Sequence, residues 1–99
     1  MEIGRVVGTV VSTIKSPGLN SFKLLVVTPI AVTQEMTSPD DTATYVAVDL
    51  VGAGEGEIVL VTRGSAARIP DAADVPTDAA IIAVVDNVQI GSENAYSKA

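Results

Sequence analysis

The 99-residue chain contains no cysteine and no histidine. Without thiols there is no disulfide, no iron–sulfur ligation and no thiolate zinc site. Without imidazole, Ser-His-Asp and Cys-His arrangements are excluded, as is any mechanism with a histidine base. Tryptophan is absent too, and the aromatic set is one Phe and two Tyr. The core is therefore aliphatic, and few rings are available to stack on bases. Charge is scarce: 18% of residues are Asp, Glu, Lys or Arg, against a usual ~25%. Six basic residues stand against twelve acidic ones, for a net charge of −6. A nucleic-acid groove needs clustered Lys and Arg to release counterions, so no nucleic-acid partner is expected. The longest apolar run, AAIIAVV at 79–85, falls far short of the ~20 residues of a spanning helix. The opening MEIGRVVGTVV has an acid at position 2 and no basic leader before its apolar segment, unlike a signal peptide. No membrane, metal or cofactor is expected, and the expected location is the cytoplasm.

What is present points to strands. Val, Ile and Thr together supply 33 residues, all of them strand formers. The length allows one domain and one core. So few charges cannot coat a small domain that is 47% hydrophobic, which implies that part of its outer surface is buried by self-assembly. Five strands are expected, at about 2–14, 22–32, 44–51, 58–62 and 79–90, separated by turn residues such as Pro17-Gly18 and the polar stretch TQEMTSPDDTA. RGSAAR at 63–68 reads as the start of a short helix with Ser65 as its N-cap. Residues 1–90 then form the domain, and GSENAYSKA at 91–99 is a polar tail, loose unless a partner orders it. In the first strand both alternating sets are apolar, Val6 and Val10 on one face and Val7 and Val11 on the other. A strand of an isolated barrel is polar outward, so subunit contacts are again implied. The expected fold is all-β: a small five-stranded barrel, similar to oligonucleotide/oligosaccharide-binding barrels, with one short helix, assembling as a ring.

The segment VGAGEGE at 51–57 invites a nucleotide-binding reading. Gly52, Gly54 and Gly56 give G-x-G-x-G, but the dinucleotide fingerprint needs G-x-G-x-x-G before a helix, and its last position here is Glu57. EIVLVT follows, which is strand, and Gly-Lys-Ser/Thr occurs nowhere. Glu55 and Glu57 would also repel phosphate. The favoured reading is a connection between two antiparallel strands, in which glycine supplies positive φ. RGSAAR, with two arginines at a helix start, can be read as an anion site; the favoured reading is a capped helix whose arginines pair with carboxylates at a subunit boundary. DDTA at 40–43 echoes the Asp-Thr-Gly of dimeric retroviral-type aspartic proteases. TSPD precedes it where a hydrophobic strand is required, and Ala43 replaces the glycine. Asp86 shares its alternation with Ile82, Val84, Val88 and Ile90. Either a bulge turns it outward, or a donor such as Arg63 or Arg68 meets it.

Taken in order, GRVVGTVVST at 4–13, KSPGLNSFKLLVV at 15–27, AVDLVGAGEGE at 47–57, RGSAAR at 63–68 and DAAIIAVVD at 78–86 resemble the pentameric vertex proteins of bacterial microcompartment shells. The five segments fall in that family's order over nearly the whole chain. The resemblance implies a barrel protomer in a homopentameric ring that caps the five-fold vertices of a shell of hexameric facet proteins. It also implies assembly roles, at or near subunit contacts, for Asp49, Gly52, Gly54, Gly56, Arg63, Gly64, Ser65, Arg68 and Asp86, with no catalytic residue and no enzyme activity. VPTDAA departs from the family's frequent Pro-Val-Asp, with Thr77 in place of an apolar residue. A binding barrel for single strands or sugars is the alternative reading, and the dimeric protease a remote one.

Overall fold

Alternation of β-branched residues closes the sheet on itself. The computed structural model describes residues 1–12, 22–33, 36, 43–64 and 77–98. Its strands are β1 (Glu2–Val10), β2 (Lys23–Pro29), β3 (Tyr45–Asp49), β4 (Ile58–Arg63), β5 (Ala79–Val84), β6 (Asn87–Ile90) and β7 (Glu93–Ser97). The first five form a closed barrel in the order β1-β2-β3-β5-β4, with β4 returning to β1. Neighbours are antiparallel except β3 and β5, which run parallel. The expected five-stranded barrel is therefore present.

Inward positions alternate along the barrel strands as a closed sheet demands, except where a bulge leaves Ile82 extra on β5. Val6, Leu25, Val27, Ala47, Val59, Val61, Ala79 and Ile81 fill the interior, with Tyr45 and Val84 packed against them. Gly4 leaves space where β1 crosses β2. A Cβ at Gly4 would lie 2.5 Å from Val27 Cγ1 and 3.0 Å from the Thr28 carbonyl oxygen, and Val27 is fully buried. Gly4→Ala is expected to cost about 1–3 kcal/mol by overpacking, read as a lower denaturation midpoint. A midpoint unchanged from the parent would show that β1 and β2 separate more easily than this contact implies.

Bulges interrupt the alternation where the sequence shows apolar residues on both parities. The β1–β2 register slips between Val6 and Gly8, so Val7 is an extra residue opposite Val26. Such a bulge bends its strand and sharpens the local twist. The expected last strand at 79–90 is in fact two. The chain breaks at Val85 and Asp86 between β5 and β6, and parity does not carry across the break. Asp86 is exposed: a bulge that leaves Ile82 extra on β5 already shifts the parity before the break, Arg63 is engaged with Glu2 instead, and Arg68 lies outside the described residues.

The tail is corrected as well. Residues 93–97 are β7, which pairs with β6 through a two-residue turn at Gly91 and Ser92. This hairpin covers the outside of the barrel and builds a second small core. Ile30, Met36 and Ile58 are its buried centre, and Ile3, Val85, Val88, Ala95 and Tyr96 pack around them. A bulge between Val88 and Gln89 sets Asn94 opposite Gln89 and Tyr96 opposite Val88, leaving Ala95 unpaired between them. Two adjacent apolar residues thus reach one core, a pattern that strict alternation conceals. No α-helix occurs among the described residues, where only Ala43 and Gly64 are in 3-10 conformation; of the short helix expected at 63–68, residues 65–68 lie outside them.

Candidate assembly surface and the closed barrel mouth

Tracing the glycine segment answers its nucleotide-like appearance. β3 and β4 are antiparallel in direction, but β5 lies between them in the barrel. The connection from Leu50 to Glu57 therefore crosses the barrel mouth instead of forming a hairpin. Ala53 at its centre is fully buried and belongs to the interior core. The segment is a lid on the barrel, held from below by apolar contact and around its edge by polar bonds.

Asp49 starts the lid. Its side chain is 1% exposed, and its Oδ1 accepts the Val51 and Gly52 amides, each at 3.1 Å. Gly52 has φ of 81°, a conformation in which a side chain is strained. Lys23, directly opposite Asp49 across β2 and β3, lies 3.7 Å from Asp49 Oδ2 and donates to the Ala53 carbonyl at 2.9 Å. Glu57 closes the far side, its Oε1 accepting the Gly54 amide at 2.7 Å. The Gly56 amide donates to the Val6 carbonyl at 2.7 Å, and the Gly56 carbonyl accepts from Arg5 at 3.0 Å.

Chemically, this arrangement is the reverse of a phosphate cradle. A cradle turns free backbone amides towards an anion. Here the amides of Val51, Gly52, Gly54, Gly56 and Glu57 are already bonded inside the protein. The carbonyls of Ala53 and Gly56 meet cations instead. Hydrogen bonding to Lys98 and then to the Gly54 amide holds the Glu57 carboxyl below its usual range. Among the described residues, no group of three or more Asp or Glu side chains is placed to hold a metal ion.

A second polar cluster occupies the opposite end of β3. The Tyr45 hydroxyl donates to Glu2 Oε1 at 2.5 Å, and Arg63 Nη1 donates to the same oxygen at 3.0 Å. The Arg63 guanidinium also stacks over the Tyr45 ring at 3.9 Å, a cation–π contact. The hydrogen bond from Tyr45, aided by Arg63, lowers the Glu2 carboxyl from its ordinary range. Burial first, and then the Glu2 carboxylate, push the Tyr45 hydroxyl far upward. Gly64 follows Arg63, with φ of 66° and its amide donated to the Asp78 carbonyl at 2.7 Å.

The sequence-predicted residues thus separate. Asp49, Gly52, Gly54 and Gly56 belong to the lid; Arg63 and Gly64 sit at the far end; Asp86 is exposed between β5 and β6; Ser65 and Arg68 lie outside the described residues. Sequence reasoning missed Lys23, Glu57 and Lys98 around the lid, and Glu2 and Tyr45 at the other end. Apart from the local Glu57–Gly54 bond, their pairings span 26 to 61 residues, so no local spacing announces them.

Two apolar faces remain on the outside of the barrel. On β1, β2 and β3, Val7, Val26 and Val46 stand together, since Val26 pairs with Val46 and lies opposite the Val7 bulge. Val7 and Val46 are 39% and 47% exposed. On β4 and β5, Leu60 pairs with Ala83, and Ile82 beside them is 36% exposed. Between the two faces Val48 and Ala80 are already buried within the subunit. The faces have different residues on different strands, which suits a head-to-tail contact.

Comparison with known proteins supplies the context. The family model described as ethanolamine utilisation protein EutN/carboxysome matches residues 1–86. The carboxysome shell vertex protein CcmL of Synechococcus elongatus is 42% identical over 99% of this chain and 96% of its own length. The microcompartment shell vertex protein GrpN of Rhodospirillum rubrum is 48% identical over 90% of this chain and 97% of its own. The solved structure of GrpN, described as a pentameric microcompartment shell protein, superposes with a TM-score of 0.78 at 46% identity, covering 92% of this chain and 99% of that one. The structure of Gloeobacter violaceus CcmL gives a TM-score of 0.87 at 42% identity, over 99% and 98% of the two chains. With a matched family model over most of its length and relatives this similar in both sequence and fold, the chain belongs to the EutN/CcmL family.

Proposed function

We propose that this chain is a structural vertex protein: five copies form a ring that caps a five-fold corner of a bacterial microcompartment shell, in the bacterial cytoplasm. A layer of hexagonal tiles is flat, and pentagons must replace hexagons at corners before it curves and closes. The observation that carries the reading is the match, over 92% of the chain, to a structure described as a pentameric shell protein. The two dissimilar apolar faces support it, because a closed ring of identical subunits needs a heterologous contact between two different surfaces. The scarcity of charge on so small a domain has the same explanation.

In this reading the protein performs no catalysis, and its partners are its own copies and hexameric facet proteins. Asp49, Gly52, Gly54 and Gly56 serve assembly from within the subunit by fixing the lid. Arg63, Gly64, Ser65, Arg68 and Asp86 are proposed contact residues. The shell-vertex names of the relatives favour this over a binding barrel or a protease; residues 40–42 of the protease-like DDTA stretch lie outside the described residues.

Native mass spectrometry tests the ring. Five chains of 10.1 kDa give an expected species of about 50 kDa. A protein that stays at 10.1 kDa up to high micromolar concentration overturns the proposal.

A further inference from the structure

The C-terminal hairpin shares no hydrogen-bonded ladder with the barrel; β6 and β7 form a sheet of their own. Apolar packing on Ile3, Ile30, Met36 and Ile58 holds one of its faces. At its end Lys98 makes one bond within the hairpin and one to the lid. The Lys98 amide donates to the Asp86 carbonyl at 2.7 Å, and Lys98 Nζ reaches Glu57 Oε2 at 2.6 Å.

Glu57 is also the residue that shapes the lid. Its other oxygen accepts the Gly54 amide, and its own amide donates to the Gly54 carbonyl at 3.1 Å. The turn from Gly54 to Glu57 is therefore clamped at both ends by one residue. Gly56 inside that turn has φ of 90°, and the turn is bonded to β1 through the Gly56 amide and carbonyl and the Glu57 carbonyl. The turn depends on its polar bonds.

We propose that Glu57 is a strap between the C-terminal hairpin and the barrel lid, so that docking of Lys98 sets the conformation of the Gly54–Glu57 turn. One carboxylate serves two segments 41 residues apart. When Lys98 holds Oε2, the side chain is fixed in the orientation that aims Oε1 at the Gly54 amide. When Lys98 leaves, the carboxylate is free to rotate into water, and the lid loses an acceptor. The C-terminus thereby controls the Gly54–Glu57 turn and with it the exposed surface of the lid at Glu55. The strap is a property of each subunit and does not depend on the number of subunits in the ring.

Hydrogen exchange on the full-length protein, followed by mass spectrometry at neutral pH, tests the strap with Lys98→Met, which keeps the aliphatic stem and removes the charge. The expected result is exchange about two- to fivefold faster in peptides covering 50–58 as well as 87–98, the size expected for one exposed ion pair, with β2 unchanged. Lys98→Arg is expected to restore both segments. Faster exchange confined to 87–98 overturns the proposal, because the hairpin would then loosen without the lid. Equal acceleration in β2 also overturns it, since the effect would be global destabilisation.

Discussion

Replacing Val46 by aspartate is expected to dissolve the ring, lowering the native mass from about 50 kDa to a single chain of 10.1 kDa, with the barrel intact. Val46 lies on the outer face of β3, 47% exposed in the single subunit and beside Val26. In an apolar contact a carboxylate loses its water without gaining a partner, at a cost of several kcal/mol. The loss recurs at every contact of the ring. In the free subunit the same carboxylate points to solvent, so circular dichroism and the melting transition of the monomer should change little. Ile82→Asp, on the β4–β5 face, should have the same effect from the other side.

Mixing these two variants makes the test sharper. Each retains one good face, so one Val46→Asp subunit and one Ile82→Asp subunit can form a single sound contact and no more. The mixture should yield a one-to-one dimer of about 20 kDa, while each variant alone remains at 10.1 kDa. This follows from a head-to-tail interface. A ring of five that survives Val46→Asp at unchanged stability would move the contact away from β3 while leaving the pentamer itself in place.

Asp49→Ala is the second large effect, and it acts inside the subunit. The substitution strips the Val51 and Gly52 amides of their shared acceptor and leaves Lys23 with the Ala53 carbonyl alone. Buried donors without partners cost about 1–3 kcal/mol each. Partial access of water at the lid brings the expected total to about 2–4 kcal/mol, or a melting temperature lower by roughly 10–25 °C in a domain of this size. Asp49→Asn keeps an oxygen for the two amides and should lose less than half as much. Both should be compared at one protomer concentration, because assembly stabilises the folded chain by mass action. A melting temperature for Asp49→Ala within about 2 °C of the parent would mean that the lid is held without its carboxylate.

The glycine segment shows where local reading stops. Its glycines, its acids and the strand after it were sufficient to exclude a dinucleotide site. They also suggested a simple link between antiparallel strands. Antiparallel the strands are, but β5 stands between them, and that insertion turns a link into a lid. Nothing in residues 50–57 encodes the position of β5, which is set by pairing with residues from 79 onward. Asp49 was singled out by its place in a resembling motif, whereas Lys23 opposite it was not. Their meeting depends on the register of β2 against β3.

The C-terminal hairpin was hidden for a different reason. Gly91-Ser92 is an acceptable two-residue hairpin turn, yet the strand after it, ENAYS, carries its apolar residues side by side. The bulge at Ala95 is what lets both reach the second core. Asp86 reads as a buried charge only when alternation is extended through the β5 bulge at Ile82 and across the strand break after Val84.

By itself the sequence determined the chemistry that is impossible, the all-β class, the aliphatic core and the excess of apolar outer surface. These follow from composition and from periodicities of two residues, which act within a single strand. The tertiary structure decided which strand lies between β3 and β4, which face is the lid, that the tail is a strand, and which distant charges meet at Glu2 and Glu57. Closing a barrel brings together residues whose sequence separation carries no periodic signal, and a single bulge resets the parity of everything after it.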